Sequence, residues 1–127
     1  YVATSNGYVQ KRFIQDFVKD CEFDIILYII KESICITDLD DDEIAEVTFI
    51  YKLTCTSDVS PCDMKLMMIE NGEKYAIRGS ESMLYYGYFD EGEFNIDPSF
   101  NKAPKEFLTF AKALWGKFNM SIFDYVD

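Results

Sequence analysis

The sequence predicts an α+β fold, mainly an antiparallel β-sheet with a C-terminal amphipathic helix packed on it. Three observations lead there. Glu46–Thr56 alternates strictly, with Val47, Phe49, Tyr51, Leu53 and Cys55 on one face and Thr48, Ile50, Lys52 and Thr54 on the other, the pattern of a half-buried strand. Asn71-Gly72 stands between two apolar runs, a strong hairpin signal because both turn residues need positive φ. Residues 104–118 place Phe107, Phe110, Ala111, Leu114, Trp115 and Phe118 on one helical face. With 127 residues, 49% of them hydrophobic and 17% aromatic, the chain supplies the core of a single domain spanning 1–127.

Taken in order, residues 8–21 put Val9, Phe13, Ile14, Phe17, Val18 and Cys21 at spacings that fit a helical face, although the first half also suits a strand. Residues 22–30 are a short apolar stretch that does not choose between strand and buried helix. Residues 33–37 are short and rich in β-branched side chains, hence a strand. After the long alternating strand, residues 57–63 form a turn, since Pro61 lacks a donor and biases Ser60 to extended geometry. Residues 64–70 and 73–78 make the two arms of the Asn-Gly hairpin. Residues 83–89 read as one aromatic-rich strand, and Phe94–Ile96 is expected to pair with it across Asp90-Glu91-Gly92. Pro104 suits the first helical turn, and Lys112 and Lys117 lie toward the end where the helix dipole favours cations.

Charge narrows the function. The chain holds 23 acids, 12 bases and no histidine, for a net charge of −11. An imidazole base and an imidazole metal ligand are both excluded. Repulsion makes free nucleic acid a poor partner. The longest apolar run, residues 25–30, is six residues and cannot span a bilayer. Residues 38–46 contain six acids and residues 90–97 contain four, neither with a base, so two loops carry ten of the net negative charges.

The first of those loops has chemistry in its spacing. Asp38, Asp40, Asp42 and Glu46 occupy positions 1, 3, 5 and 9, where alternate side chains of a tight loop converge, and the carbonyl of Ile44 at position 7 adds a further oxygen. Calcium takes six to eight hard oxygen ligands. Position 12 is Phe49, so this is not a full EF-hand loop; it matches the shorter loops that join two β-strands. Glu43 holds the sixth position, where glycine would best make a left-handed turn. Calcium is therefore the expected cofactor, with a solvated acidic loop as the competing reading. The second acidic loop adjoins Tyr85, Tyr86, Tyr88 and Phe89. Tyr85, Tyr86 and Tyr88 with Asp90, Glu91 and Glu93 make an expected contact surface for a sugar or a protein. Cys21, Cys35, Cys55 and Cys62 form no C-x-x-C pair. Their even number suits disulfides in an oxidising compartment, with three connectivities open, and four buried thiols are the alternative.

Several segments resemble one family. They are Asp16-Phe17-Val18-Lys19-Asp20-Cys21, Ile36-Thr37-Asp38-Leu39-Asp40, Ile44-Ala45-Glu46-Val47, Tyr51-Lys52-Leu53-Thr54-Cys55, Ser57-Asp58-Val59-Ser60-Pro61, Met64-Lys65-Leu66, Lys74-Tyr75-Ala76-Ile77-Arg78-Gly79 and Phe110-Ala111-Lys112-Ala113-Leu114-Trp115. Through them the chain is similar, from about Asp16 to Trp115, to a Bacteroidota family of small exported proteins labelled surface polysaccharide biosynthesis protein. The resemblance implies a secreted or envelope protein, lipoproteins included, with a Cys21–Cys55 disulfide and Cys35 and Cys62 as additions. It implies further chain before Tyr1, and glycine as the family's usual residue where Glu43 stands here. The label names no reaction.

The resulting expectation is a non-catalytic module, secreted or on the cell envelope, that binds an envelope protein or a glycan. An acidic inhibitor or immunity-type protein that binds a basic partner is the alternative. A carboxylate-based enzyme, or one using Asp58, Ser60, Lys65 and Arg78, is disfavoured: Ser60 precedes a proline in a turn and no glycine-rich oxyanion segment follows.

Overall fold

The computed structural model describes residues 1–10, 12–19, 21–22, 24–56 and 61–123. The chain opens with a small antiparallel ribbon, β1 (Val2–Thr4) and β2 (Gly7–Val9). A strap over 12–19 follows, then the antiparallel run of β3 (Asp24–Thr37), β4 (Glu46–Thr56), β5 (Asp63–Glu70) and β6 (Glu73–Ser80). Next, β7 (Ser82–Tyr85) and β8 (Tyr88–Asp90) form a hairpin outside the main sheet, while β9 (Phe94–Ile96) returns to pair with β6. A short 3-10 helix at Pro98–Lys102 leads into α1 (Lys105–Phe118), and β10 (Met120–Phe123) runs parallel to β7. The main sheet has the order β3-β4-β5-β6-β9. The predicted α+β class, mostly antiparallel with one C-terminal helix, is the fold observed.

The core lies between that sheet and α1. Ile50, Met64, Leu66, Met68 and Ile77 point from the strands toward Phe107, Ala111, Leu114 and Trp115 of the helix. Four of the six residues in the predicted helical stripe are buried there, and Phe110 and Phe118 pack partly against the same cluster. Tyr75 adds ring contacts to Phe100 and Phe107, each at 5.5 Å between centroids. Asn71 (φ 47°) and Gly72 (φ 88°) make the expected left-handed turn between β5 and β6. Among the described residues, no helix is long and apolar enough to cross a membrane.

The opposite face of the sheet is covered too. Tyr51, Leu53, Met67 and Ala76 form a second buried cluster under Ile14, Val18 and Phe49. This corrects the reading of β4 as half-buried. Its polar face, Thr48, Ile50 and Lys52, lies inward and its apolar face meets the strap. The Thr48 hydroxyl is buried there without a partner among the described residues, whereas its polar neighbours are provided for. Lys52 pairs with Glu81 at 2.5 Å, and the Ser33 hydroxyl accepts the Ile50 N–H at 2.7 Å where β3 bulges between Ile30 and Cys35.

Further expectations change, and one segment left open is settled. Residues 8–21 show no helix among the described residues; β2 is followed by the strap. Burial alternates along the strap, with Ile14, Asp16 and Val18 inward and Phe13, Gln15, Phe17 and Lys19 outward. A spacing of four fits an extended chain as well as a helix, and packing on the sheet selected the former. Residues 22–30, left open by the sequence, belong to β3 from Asp24 onward and merge with 33–37. Residues 83–89 are two strands about a turn at Tyr86 (φ 45°) and Gly87 (φ 89°). Phe94–Ile96 pairs with β6 and not with that hairpin, because Gly79 lets the chain approach closely: a Cβ there would lie 1.9 Å from the Glu93 carbonyl oxygen. The predicted turn at 57–63 falls largely outside the described residues, and Asp63 already belongs to β5.

The disulfide is Cys21–Cys55, joining the end of the strap region to β4. Cys35 and Cys62 are free thiols.

Candidate metal centre

The loop between β3 and β4 is closed by the pair Thr37 and Glu46, directly opposite in the ladder. Inside it the acids fold the backbone around themselves. The Asp38 carboxylate accepts the N–H groups of Asp42 (3.1 Å) and Glu43 (3.0 Å), and Asp42 accepts that of Ile44 (2.9 Å). These bonds hold the chain through two left-handed residues, Asp41 (φ 59°) and Glu43 (φ 67°). Glu43 thus takes the conformation expected of it without being a glycine, at a cost of about 1 kcal/mol.

Glu46 is fully buried. Its Oε1 accepts the Leu39 N–H at 2.7 Å and the Thr37 hydroxyl at 3.0 Å, while Oε2 is buried with no partner among the described residues. Asp40 Oδ1 is likewise buried and unpartnered. Asp38, Asp40, Asp42 and Glu46 each bring one carboxylate oxygen within 4.8 Å of the other three, an arrangement that could hold a metal ion. Ile44 lies in the same loop, its N–H engaged by Asp42.

Crowding shows in the titration of these groups. Burial and the neighbouring Asp42 push Asp40 up, whereas the Ile44 N–H holds Asp42 down against its own burial. Burial, with Asp40, Asp42 and Glu46, pushes Glu70 up to about 7. Glu70 was absent from the sequence pattern. It faces Glu46 across the β4–β5 ladder, and its Oε2 is also buried without a partner. Spacing along the chain could not reveal it, because only strand register brings it there.

The set of groups fits a hard divalent cation. All side-chain donors are carboxylate oxygens, the loop sequence contains no base, and two of the oxygens are shut away from water without a hydrogen bond.

Of the predicted contact surface, Tyr85, Tyr86 and Tyr88 lie at the β7–β8 turn, whereas Asp90 stands at the far end of that hairpin opposite Met83, with Glu91 and Glu93 beyond it. Tyr85, Tyr86, Tyr88, Asp90, Glu91 and Glu93 are all exposed, with the rings of Tyr85 and Tyr86 edge to face at 4.5 Å. Of the polar set weighed for an enzyme, Asp58 and Ser60 lie outside the described residues, while Lys65 and Arg78 are direct cross-strand partners. Compared with known proteins, the chain matches no family model, no curated protein and no solved structure.

Proposed function

We propose that this chain is a non-catalytic module of the cell envelope or of the secreted fraction. It binds one calcium ion through Asp38, Asp40, Asp42 and Glu46, with the carbonyl of Ile44 adding a ligand, and meets a glycan or protein partner through the tyrosines and acids of the β7–β8 hairpin. The observation that carries the metal reading is the pair of buried, unpartnered oxygens on Glu46 and Asp40 inside a cluster without a base. An unpaired buried carboxylate oxygen is costly, and a divalent cation answers both oxygens at once. Calcium suits the loop better than magnesium, which demands a smaller octahedral shell and gives up water reluctantly. The Cys21–Cys55 bond supports an oxidising compartment.

Calorimetric titration with millimolar calcium tests this reading. Heat of binding is expected, with a melting temperature that rises with calcium as RT ln(1 + [L]/Kd) and rises less with magnesium. Glu46→Gln keeps an acceptor for Leu39 and Thr37 and replaces the lone Oε2 with an amide donor facing the other acids. It should stabilise the chelated protein and abolish the calcium response. An absence of both heat and thermal shift in the unaltered protein would leave only a charged loop.

A further inference from the structure

The sheet face opposite α1 carries a concentration of bases that the calcium reading does not use. Arg12 on the strap, Lys65 on β5, and Lys74 and Arg78 on β6 line one cleft of about 240 Å³, together with Asp16 and Tyr51. A third of the chain's twelve bases are therefore gathered in one hollow of a protein whose net charge is −11. Strand geometry places them. Lys65 and Arg78 are opposite each other in the β5–β6 ladder, and Lys74 lies on the same face of β6 as Arg78. Like charges set opposite one another oppose folding, so the cluster needs compensation.

That compensation is incomplete. Asp16 accepts from Lys65 at 2.6 Å and from the Tyr51 hydroxyl at 2.8 Å. Asp97 pairs with Arg78. Among the described residues no acid neutralises Arg12, whose Nε donates to the Gly72 carbonyl at 3.0 Å. The Lys74 side chain has neither a hydrogen bond nor an ion pair among the described residues. Among the described residues, four bases against Asp16 and Asp97 leave a surplus of two positive charges at the cleft, on Arg12 and Lys74.

We propose that this cleft binds a small ligand bearing an oxyanion, a carboxylate, sulfate or phosphate group, held chiefly by Lys74 and the remaining N–H groups of Arg12. A planar guanidinium beside a mobile ammonium is the usual means of grasping such a group. The volume of about 240 Å³ admits a head group or a single acidic sugar. This inference is independent of the calcium site, since none of its residues belongs to the β3–β4 loop.

Titration of the intact, oxidised protein in calcium-free buffer of low ionic strength tests it, with glucuronate, inorganic phosphate and neutral glucose as probes. Glucuronate or phosphate is expected to bind with an affinity that falls as salt is added, and glucose to give no heat. Binding of glucuronate alone identifies a sugar acid as the ligand source; binding of phosphate identifies a phosphate group. Lys74→Glu should weaken either by at least about tenfold, the weight of one charge-assisted hydrogen bond, with no loss of melting temperature because Lys74 holds no structural partner among the described residues. Arg12→Gln, tested separately, should weaken it as well. The proposal is overturned if neither anion binds, or if Lys74→Glu binds as tightly as the parent.

Discussion

Glu70 faces Glu46 across the β4–β5 ladder, and both carry a buried carboxylate oxygen without a partner. Burial and the charges on Asp40, Asp42 and Glu46 hold the Glu70 carboxyl at about 7, against an ordinary value of 4.5. Between those values the folded chain keeps a proton that the unfolded chain releases. Stability from this group is complete below 4.5 and is lost as pH rises toward about 7. Asp16 has the opposite sign. Its burial works upward, but the hydrogen bonds from Lys65, Tyr51 and the Phe17 N–H bring it below 3.8, so its contribution is present above that value and lost as pH falls through the folded one. Thermal melts of chelated protein should therefore peak between these windows and decline toward neutrality. Calcium should flatten the decline, because the ion takes over the role of the proton. A melting temperature that does not fall from about pH 5 to about pH 7.5 in chelator would mean that Glu70 is not part of the cluster. The four loop carboxylates were legible in the sequence because a tight loop converts regular spacing into proximity. Glu70 was not, nor were the bases of the cleft, because strand register and the path of the strap bring them together from distant parts of the chain.

At the level of elements, legibility followed how local the determining force is. The Asn71-Gly72 turn, the stripe of α1 and the alternation of β4 are each decided within a few residues, and each formed where expected. The strap went astray because Ile14 and Val18 are four residues apart, a spacing common to both periods. The faces of β4 went astray because Lys52 finds a buried partner in Glu81, whose carboxylate burial would raise but the bonds from Lys52, Ser121 and the Cys62 N–H bring down. The pairing of β9 with β6 rests on glycine at a contact invisible in sequence. At Gly79 a Cβ would collide with the backbone of Glu93, which has nowhere to go because its carbonyl accepts the Ser80 N–H at 3.1 Å. Gly79→Ala should therefore destabilise by about 1–3 kcal/mol, the cost of forced overpacking. Gly116 is the opposite case, a glycine inside α1 where an added Cβ would meet nothing within 4 Å. Gly116→Ala should stabilise by about 1 kcal/mol through helix propensity alone. Urea midpoints of the two variants should move in opposite directions; equal movement would contradict the placement of β9.

For the molecule as a whole, the two faces of the main sheet are secured by different means. The α1 face is closed by a continuous apolar core. The other face is closed by a strap whose inward side chains, Ile14 and Val18, are only partly buried. That strap is tied at Arg12 to Gly72, at Asp16 to Tyr51 and Lys65, and through Cys21 to Cys55. With so little apolar area beneath it, the covalent tie matters most. A bond between residues 34 apart in sequence removes unfolded-state entropy worth about 3–4 kcal/mol. Losing it should loosen the strap before it unfolds the sheet, because the core under α1 contains no strap residue. The two candidate sites should then part company. Arg12 and Asp16 form a wall of the basic cleft, so Cys21→Ser or reduction should weaken anion binding. Asp38, Asp40, Asp42 and Glu46 are positioned by the β3–β4 hairpin, and the backbone N–H and hydroxyl groups that donate to three of them, Asp38, Asp42 and Glu46, lie within it. Calcium binding should survive with its affinity nearly unchanged. Titrating oxidised and reduced protein with calcium and with the anion, while circular dichroism reports the sheet, separates the two effects. If calcium binding is lost together with anion binding while the sheet signal persists, the metal loop depends on the strap and the two faces are not independent.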